Sequence, residues 1–201
     1  RLSDDTAPPT ILDHTSDQRR TILLFGVLND RKGVAQVCEA LHTLSPTDQS
    51  RLTLALAGPL DDALKEIVRD VADATNVEVL LDDRFVPDAE IQRLIGQSDL
   101  VLLTYQKHVG SSNVLIRAAA AGVPVLAADY GLVGAQVRMR ALGTTVDASD
   151  PQHIAQALAG WLADPESILF DAGSARAFRE ENTATAYAQT IFSHLLAHPG
   201  C

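Results

Sequence analysis

Short, almost wholly apolar runs alternate with stretches of helical spacing along most of this chain, and few folds accept that rhythm. TILLFGVL (21–28), RLTLALAG (51–58), VEVLLD (77–82), DLVLLTY (99–105) and VPVLAAD (123–129) read as strands, with TTVD (144–147) a short sixth. Between them lie GVAQVCEALHTL (33–44), DDALKEIVRDVADAT (61–75), PDAEIQRLIGQS (87–98), SNVLIRAAAAG (112–122) and GAQVRMRALG (134–143), where apolar residues recur at helical intervals. A strand with one wet face alternates apolar and polar residues. These strands mostly do not, so both faces must be covered, as in a parallel sheet with helices on either side.

The punctuation agrees. Asp61 or Asp62 caps 61–75, Pro87 and an acidic first turn open 87–98, Gly122 closes 112–122, and Asp150 with Pro151 opens DPQHIAQALAGWLAD (150–164). Beyond 164 the spacing is helical only, in PESILFDAGSARAFRE (165–180) and ATAYAQTIFSHLLAH (184–198). The expected fold is a doubly wound, Rossmann-like α/β domain over 21–201, with about six parallel strands, the first one central, and a helical C-terminal tail. Residues 1–20, with Asp4, Asp5, Pro8 and Pro9, read as a linker or lead-in. The chain opens on Arg1 rather than Met, so it is read as a piece of a longer protein.

Composition limits the partners. With 46% hydrophobic and only 4% aromatic residues, Ala and Leu must build most of the core. No stretch approaches the ~20 apolar residues of a membrane span. Lys and Arg number 16 against 26 Asp and Glu, a net charge of −10 that argues against a nucleic-acid surface. An anionic ligand must then be held by a local cluster working against the global field. Two cysteines, Cys38 in a helical apolar run and Cys201 at the end, are too few for a disulfide scaffold. The first residues hold no apolar signal core, and the expected compartment is the reducing cytoplasm. His14, His42, His153, His194 and His198 are scattered along the chain, and neither a metal nor a cofactor is expected.

In a doubly wound sheet the ligand crevice lies outside the carboxyl ends of the strands. The loops there contain Arg31 and Lys32 after the first strand, Arg84, Phe85 and Val86 after the third, and Lys107 and His108 after the fourth. Several of the chain's few cations therefore gather at one rim, as a phosphate site requires; the plain alternative is that they are solvated loop residues. Gly110-Ser111-Ser112 before a helix adds a flexible backbone, serines able to cap, and free N–H groups facing an anion. It is neither a Walker loop nor GxGxxG, and the serines lack the GxSxG elbow of a hydrolase. No acidic companion accompanies His108, Ala118–Ala121 reads as a helix packed close to the sheet, and Trp161 reads as core.

ILLFGVLNDRKGVAQVCEAL and DLVLLTYQKHVGSSNVLIRAAAAGVPVLAADYG resemble the donor-binding domain of retaining GT-B glycosyltransferases of the group-one type, in order and spacing over roughly residues 20–195. The resemblance implies the C-terminal half of a two-domain enzyme of the hexosyl- or glycosyl-transferring class. That half binds a nucleotide-diphospho-sugar, and an N-terminal acceptor domain, absent from this chain, completes the cleft. It implies that Lys32 and the amides of Gly110, Ser111 and Ser112 hold the donor diphosphate. Arg84, Phe85 and Val86 would lie at the base, with Arg31, Lys107, His108 and Arg117 as further donor contacts. The family's second diphosphate cation is replaced by Val27, its two glutamates by Val109 and Arg117, and a later acidic residue falls near Ala135. Three readings follow: a divergent glycosyltransferase with no catalytic residue assigned, a catalytically inactive scaffold within a larger glycan-building protein, and a GT-B epimerase. A receiver-like module is disfavoured, since the first strand ends in Val27-Leu28-Asn29 without clustered acids.

Overall fold

The computed structural model describes residues 10–13, 18–183 and 185–186. Six strands form one parallel sheet: β1 (Arg20–Phe25), β2 (Leu52–Ala57), β3 (Glu78–Asp82), β4 (Leu100–Leu103), β5 (Val125–Ala128) and β6 (Gly143–Val146). Their order is β3-β2-β1-β4-β5-β6, so the first strand is central and the order reverses between β1 and β4. The helices are α1 (Val34–Thr43), α2 (Pro46–Gln49), α3 (Asp62–Ala74), α4 (Asp88–Gln97), α5 (Asn113–Ala121), α6 (Gly131–Arg140), α7 (Pro151–Ala163) and α8 (Ala172–Glu181). The expected fold class is the observed one. No helix among the described residues is long and apolar enough to cross a membrane.

The continuous apolar runs split by parity into two cores, because successive strand residues point to opposite faces. Ile22 and Leu24 join Leu54, Leu56, Leu100 and Leu102 beneath α1, α3 and α7. Leu23 and Phe25 join Ala55, Ala57, Val101, Leu103 and Ala127 beneath α4, α5, α6 and α8. The second face is lined with alanines, and α5 meets it with its own Ala118 and Ala119, both buried, so small side chains on both sides let that helix lie close. Trp161 and Cys38 are core residues, and burial pushes the Cys38 thiol up to about 12. Leu12, within the segment read as a lead-in, is buried against the second core.

Several boundaries differ from expectation, each for a local reason. Residues 165–180 are not one helix. A 3-10 turn over Pro165–Ser167 is followed by Phe170 bridging antiparallel to Leu142, and α8 starts only where the Asp171 carboxylate caps Ser174 N–H. α6 begins at Gly131, three residues before the expected Gly134, because Gly131 takes a positive φ of 61° and turns the chain directly into the helix. α2 was not anticipated; Ser45 caps Asp48 N–H and Pro46 opens it, a signal present in the sequence. Asp61 and Asp150 cap α3 and α7 as expected. The helix expected over 184–198 lies almost wholly outside the described residues, as do His14, His194, His198 and Cys201.

The ends of β1 and β2 are brought together by glycine. Gly58 has φ +134°, and a Cβ there would lie 2.0 Å from the Gly26 carbonyl oxygen. Gly58→Ala should therefore destabilise the domain by about 1–3 kcal/mol from backbone strain alone, lowering Tm by at least ~2 °C in a thermal melt; an unchanged Tm would contradict this packing.

Candidate functional site

The strand order reverses between β1 and β4, so the loops leaving these two strands diverge and leave a crevice. The β1 loop is a 3-10 turn, Asp30–Lys32, closed by Gly33 in the left-handed conformation. It is tied to the β4 end by two polar contacts, and a third braces the β4 end itself. The Thr104 hydroxyl donates to the Lys32 carbonyl at 3.0 Å, Gln106 N–H donates to the Arg31 carbonyl at 2.8 Å, and the Gln106 side-chain amide donates to the Thr104 carbonyl at 3.0 Å. Gly33 is required here, because a Cβ would lie 2.2 Å from the Thr104 carbonyl oxygen.

This clamp aims Lys32 into a cavity of about 220 Å³ lined also by Arg31, Tyr105, His108, Ser111 and Ser112. Lys32 Nζ lies 3.1 Å from the Tyr105 hydroxyl and 4.6 Å from its ring centroid. The same hydroxyl is 3.1 Å from Ser112 Oγ, so lysine, tyrosine and serine form one chain. Burial, and secondarily the Arg31 charge, pull the Lys32 ammonium down to about 8. Burial raises the Tyr105 phenol, so it stays protonated. His108 stacks edge-on against Tyr105 at 5.2 Å, and its Nε2 is 3.0 Å from the Ser111 carbonyl. Ser112 is the N-cap residue of α5 but makes no capping bond, since its hydroxyl is directed to Tyr105. The N–H groups of 110–113 meet no backbone acceptor among the described residues. They add the partial positive charge of a helix N-terminus to two cations.

A second cavity of about 240 Å³ adjoins the first, and Asn113 and Val114 line both. Its walls are mostly apolar, with Phe25, Val27, Pro59, Phe85, Val86 and Ile91, and its polar side chains are Asp88, Asn113 and Arg117. Arg117 Nη2 lies 2.7 Å from Asp88 Oδ1.

Of the residues singled out in the sequence, Lys32, Arg31, His108, Ser111 and Ser112 line the cationic cavity; Gly110 flanks it next to His108. Phe85, Val86 and Arg117 line the apolar one. Two are not brought in. Arg84 is turned to Asp82 at 2.9 Å and to the buried Glu90, closing the β3–α4 loop. Lys107, left-handed at φ 53°, lines a separate cavity with Asp129, Tyr130 and Asp147. Tyr105 and Asp88 were overlooked. Tyr105 ends an apolar run at the crevice, the position at which a polar aromatic is worth noting.

A cationic pocket beside an apolar slot, at the reversal point of a doubly wound sheet, defines an α/β domain with a bipartite ligand crevice. The sequence matches the model of the family Glycosyl transferases group 1 over residues 13–182, and the chain belongs to that family. No curated protein sequence matches it. Among solved structures it is similar to the UDP-forming α,α-trehalose-phosphate synthase from Burkholderia xenovorans, with TM-score 0.74 and 18% identity over 92% of this chain and 46% of that one. It is similar also to Anabaena Alr3699/HepE in complex with UDP-glucose, with TM-score 0.68 and 21% identity over 89% of this chain and 49% of that one. A third is the N-terminal domain of Candida albicans trehalose-6-phosphate phosphatase, with TM-score 0.73 and 17% identity over 94% and 43%. The chain spans less than half the length of these structures.

Because burial brings the Lys32 ammonium down to about 8, the cavity loses positive charge as pH rises through that value. An anion whose own charge is constant over this range should be held more weakly in the cavity as pH rises from 7 to 9. Lys32→Ala should flatten that dependence in titration calorimetry; an equally steep profile in the variant would assign it to another group.

Proposed function

We propose that this chain is the donor half of a glycosyltransferase: it binds a nucleotide-diphospho-sugar, whose sugar is transferred to an acceptor held by an N-terminal domain. The observation that carries this reading is the junction of the two cavities at Asn113 and Val114. A nucleoside diphosphate is itself bipartite, a flat apolar base joined through ribose to a polyanion, and the two halves of the crevice match its two ends. On this reading Lys32, Arg31 and the N–H groups of 110–112 hold the diphosphate, with His108 at its edge, while Phe85, Val86 and Val27 enclose the base. Alr3699/HepE, with a similar fold, has been solved with UDP and with UDP-glucose.

The acceptor domain has a surface to meet. Val27, Phe85, Val109, Tyr130 and Leu132 are all exposed; the first four lie in loops at or just beyond the carboxyl ends of the strands, and Leu132 is in the first turn of α6. Covering this rim with a second domain would bury them and exclude water from the reacting centre. The compartment we assign is the cytoplasm.

Lys32→Ala should weaken nucleoside diphosphate binding by about 1–2 kcal/mol, the scale of a charge-assisted hydrogen bond, while leaving the Tm of the unliganded domain nearly unchanged. Unaltered affinity in the folded variant would remove the phosphate site from this position. The chain alone should neither transfer nor hydrolyse a sugar nucleotide above a heat-killed control, because the acceptor side of the cleft comes from the other half; turnover by the chain alone would show that its own residues suffice for chemistry.

A further inference from the structure

We infer that Tyr105 is a positioning residue of the cationic cavity: by accepting from Lys32 and donating to Ser112, it turns the Ser112 hydroxyl into a donor aimed at a bound phosphate. The inference deepens the nucleotide reading above and rests on it, since it concerns how the cavity grips the diphosphate.

The direction of the chain follows from its protons. An ammonium has three N–H donors and no acceptor, so Lys32 donates to the Tyr105 oxygen across their 3.1 Å. The phenol, kept protonated by burial, then has a single proton of its own to place. Tyr105 is only 9% exposed, and among the described residues its hydroxyl has no partner besides Lys32 and Ser112 Oγ, which lies 3.1 Å away. Its proton therefore goes to Ser112, because a buried donor left unpaired is costly. Ser112 thereby accepts, and its own hydroxyl proton has no acceptor among the described residues. Ser112 is 6% exposed and lines the cavity beside Lys32 and Arg31, so that proton is offered to whatever fills the cavity. An N-cap serine ordinarily turns its oxygen to its own helix. Here the oxygen is taken by Tyr105, which also leaves the first N–H groups of α5 uncapped. Each bond polarises the next, so the charge on Lys32 strengthens the donor at Ser112. The chain also reverses. Once Lys32 is neutral its nitrogen accepts from Tyr105, Tyr105 accepts from Ser112, and the donor to the ligand is withdrawn. Burial brings the Lys32 ammonium down to about 8, so the reversal lies within reach of a titration. Arg31 and His108 are the other ionisable side chains lining the cavity, and neither bonds to the Tyr105 hydroxyl.

The experiment measures by calorimetry the affinity for the best-binding member of a panel of uridine, guanosine and adenosine diphosphates. The proteins are the wild-type chain, Tyr105→Phe, Ser112→Ala and the double variant, each at pH 7 and pH 9. Phenylalanine keeps the ring beneath the ammonium, 4.6 Å from its centroid, and alanine removes no cap, so Tm should stay close to that of the wild type. At pH 7 each single variant should bind about tenfold more weakly, the scale of one hydrogen bond to a charged group. The double variant should bind no more weakly than the weaker single variant, because both substitutions break one chain. At pH 9 the ratio of wild-type to Tyr105→Phe affinity should fall to within about twofold. The ionisation of the ligand, of Arg31 and of His108 is common to both proteins and cancels in that ratio. A ratio equal at both pH values, additive losses in the double variant, or no loss in either single variant would make Tyr105 a packing residue and overturn the inference. The nucleotide reading would survive that result if Lys32→Ala still lost affinity. Failure of the wild type to bind any of the three diphosphates would overturn both.

Discussion

The Thr104 hydroxyl, donating across the reversal point of the sheet to the Lys32 carbonyl, sets the position of nearly everything in the crevice. With Gln106 N–H on the Arg31 carbonyl it fixes the β1 loop against the end of β4, and the bare backbone of Gly33 permits the approach. Lys32 then falls on the face of Tyr105, and Tyr105 reaches Ser112 at the start of α5. The three loop segments that build the cationic pocket are thus linked through hydrogen bonds rather than apolar contact. Such a network holds its geometry only when each member is satisfied.

The charge distribution explains how an acidic chain presents a cationic pocket. Many of its basic side chains are engaged in ion pairs: Lys65 with Asp62 and Asp83, Arg84 with Asp82 and Glu90, Arg138 with Asp129, and Arg140 with Glu181. Arg31 and Lys32 form no ion pair among the described residues. Their charges are not neutralised by a carboxylate there. Burial makes Lys32 costly to keep charged while the pocket is empty, and a bound anion offsets that cost.

The departures from the family's residues also acquire a physical setting. Val27, where the resemblance implies a cation, lies on the apolar wall of the slot and is exposed at the rim. Arg117, where the resemblance implies a glutamate, is paired with Asp88 of the neighbouring helix. Arg84 is committed to the buried Glu90, a pairing that holds the β3–α4 loop and leaves Phe85 presented to the slot.

The sequence by itself determined the sheet, because unbroken apolar strands between amphipathic helices have no other way to bury both faces, and Asp61, Asp150 and Gly122 marked the helix ends where they fall. It placed Lys32, Ser111 and Ser112 on loops that meet at one cavity, since strand order in this topology dictates which loops face the crevice. It could not distinguish Lys107 from Lys32, because both are cations in rim loops; only the left-handed turn at Lys107 sends one of them to another cavity. It misread 165–180, where apolar spacing is compatible with a helix and the Phe170–Leu142 bridge wins through a tertiary contact. Tyr105 and Asp88 gained their places only in three dimensions. One reads as the last residue of a strand and the other as part of an acidic first turn, and the contacts that hold them at the cavities, with Lys32 73 residues away and Arg117 29 residues away, are made by packing.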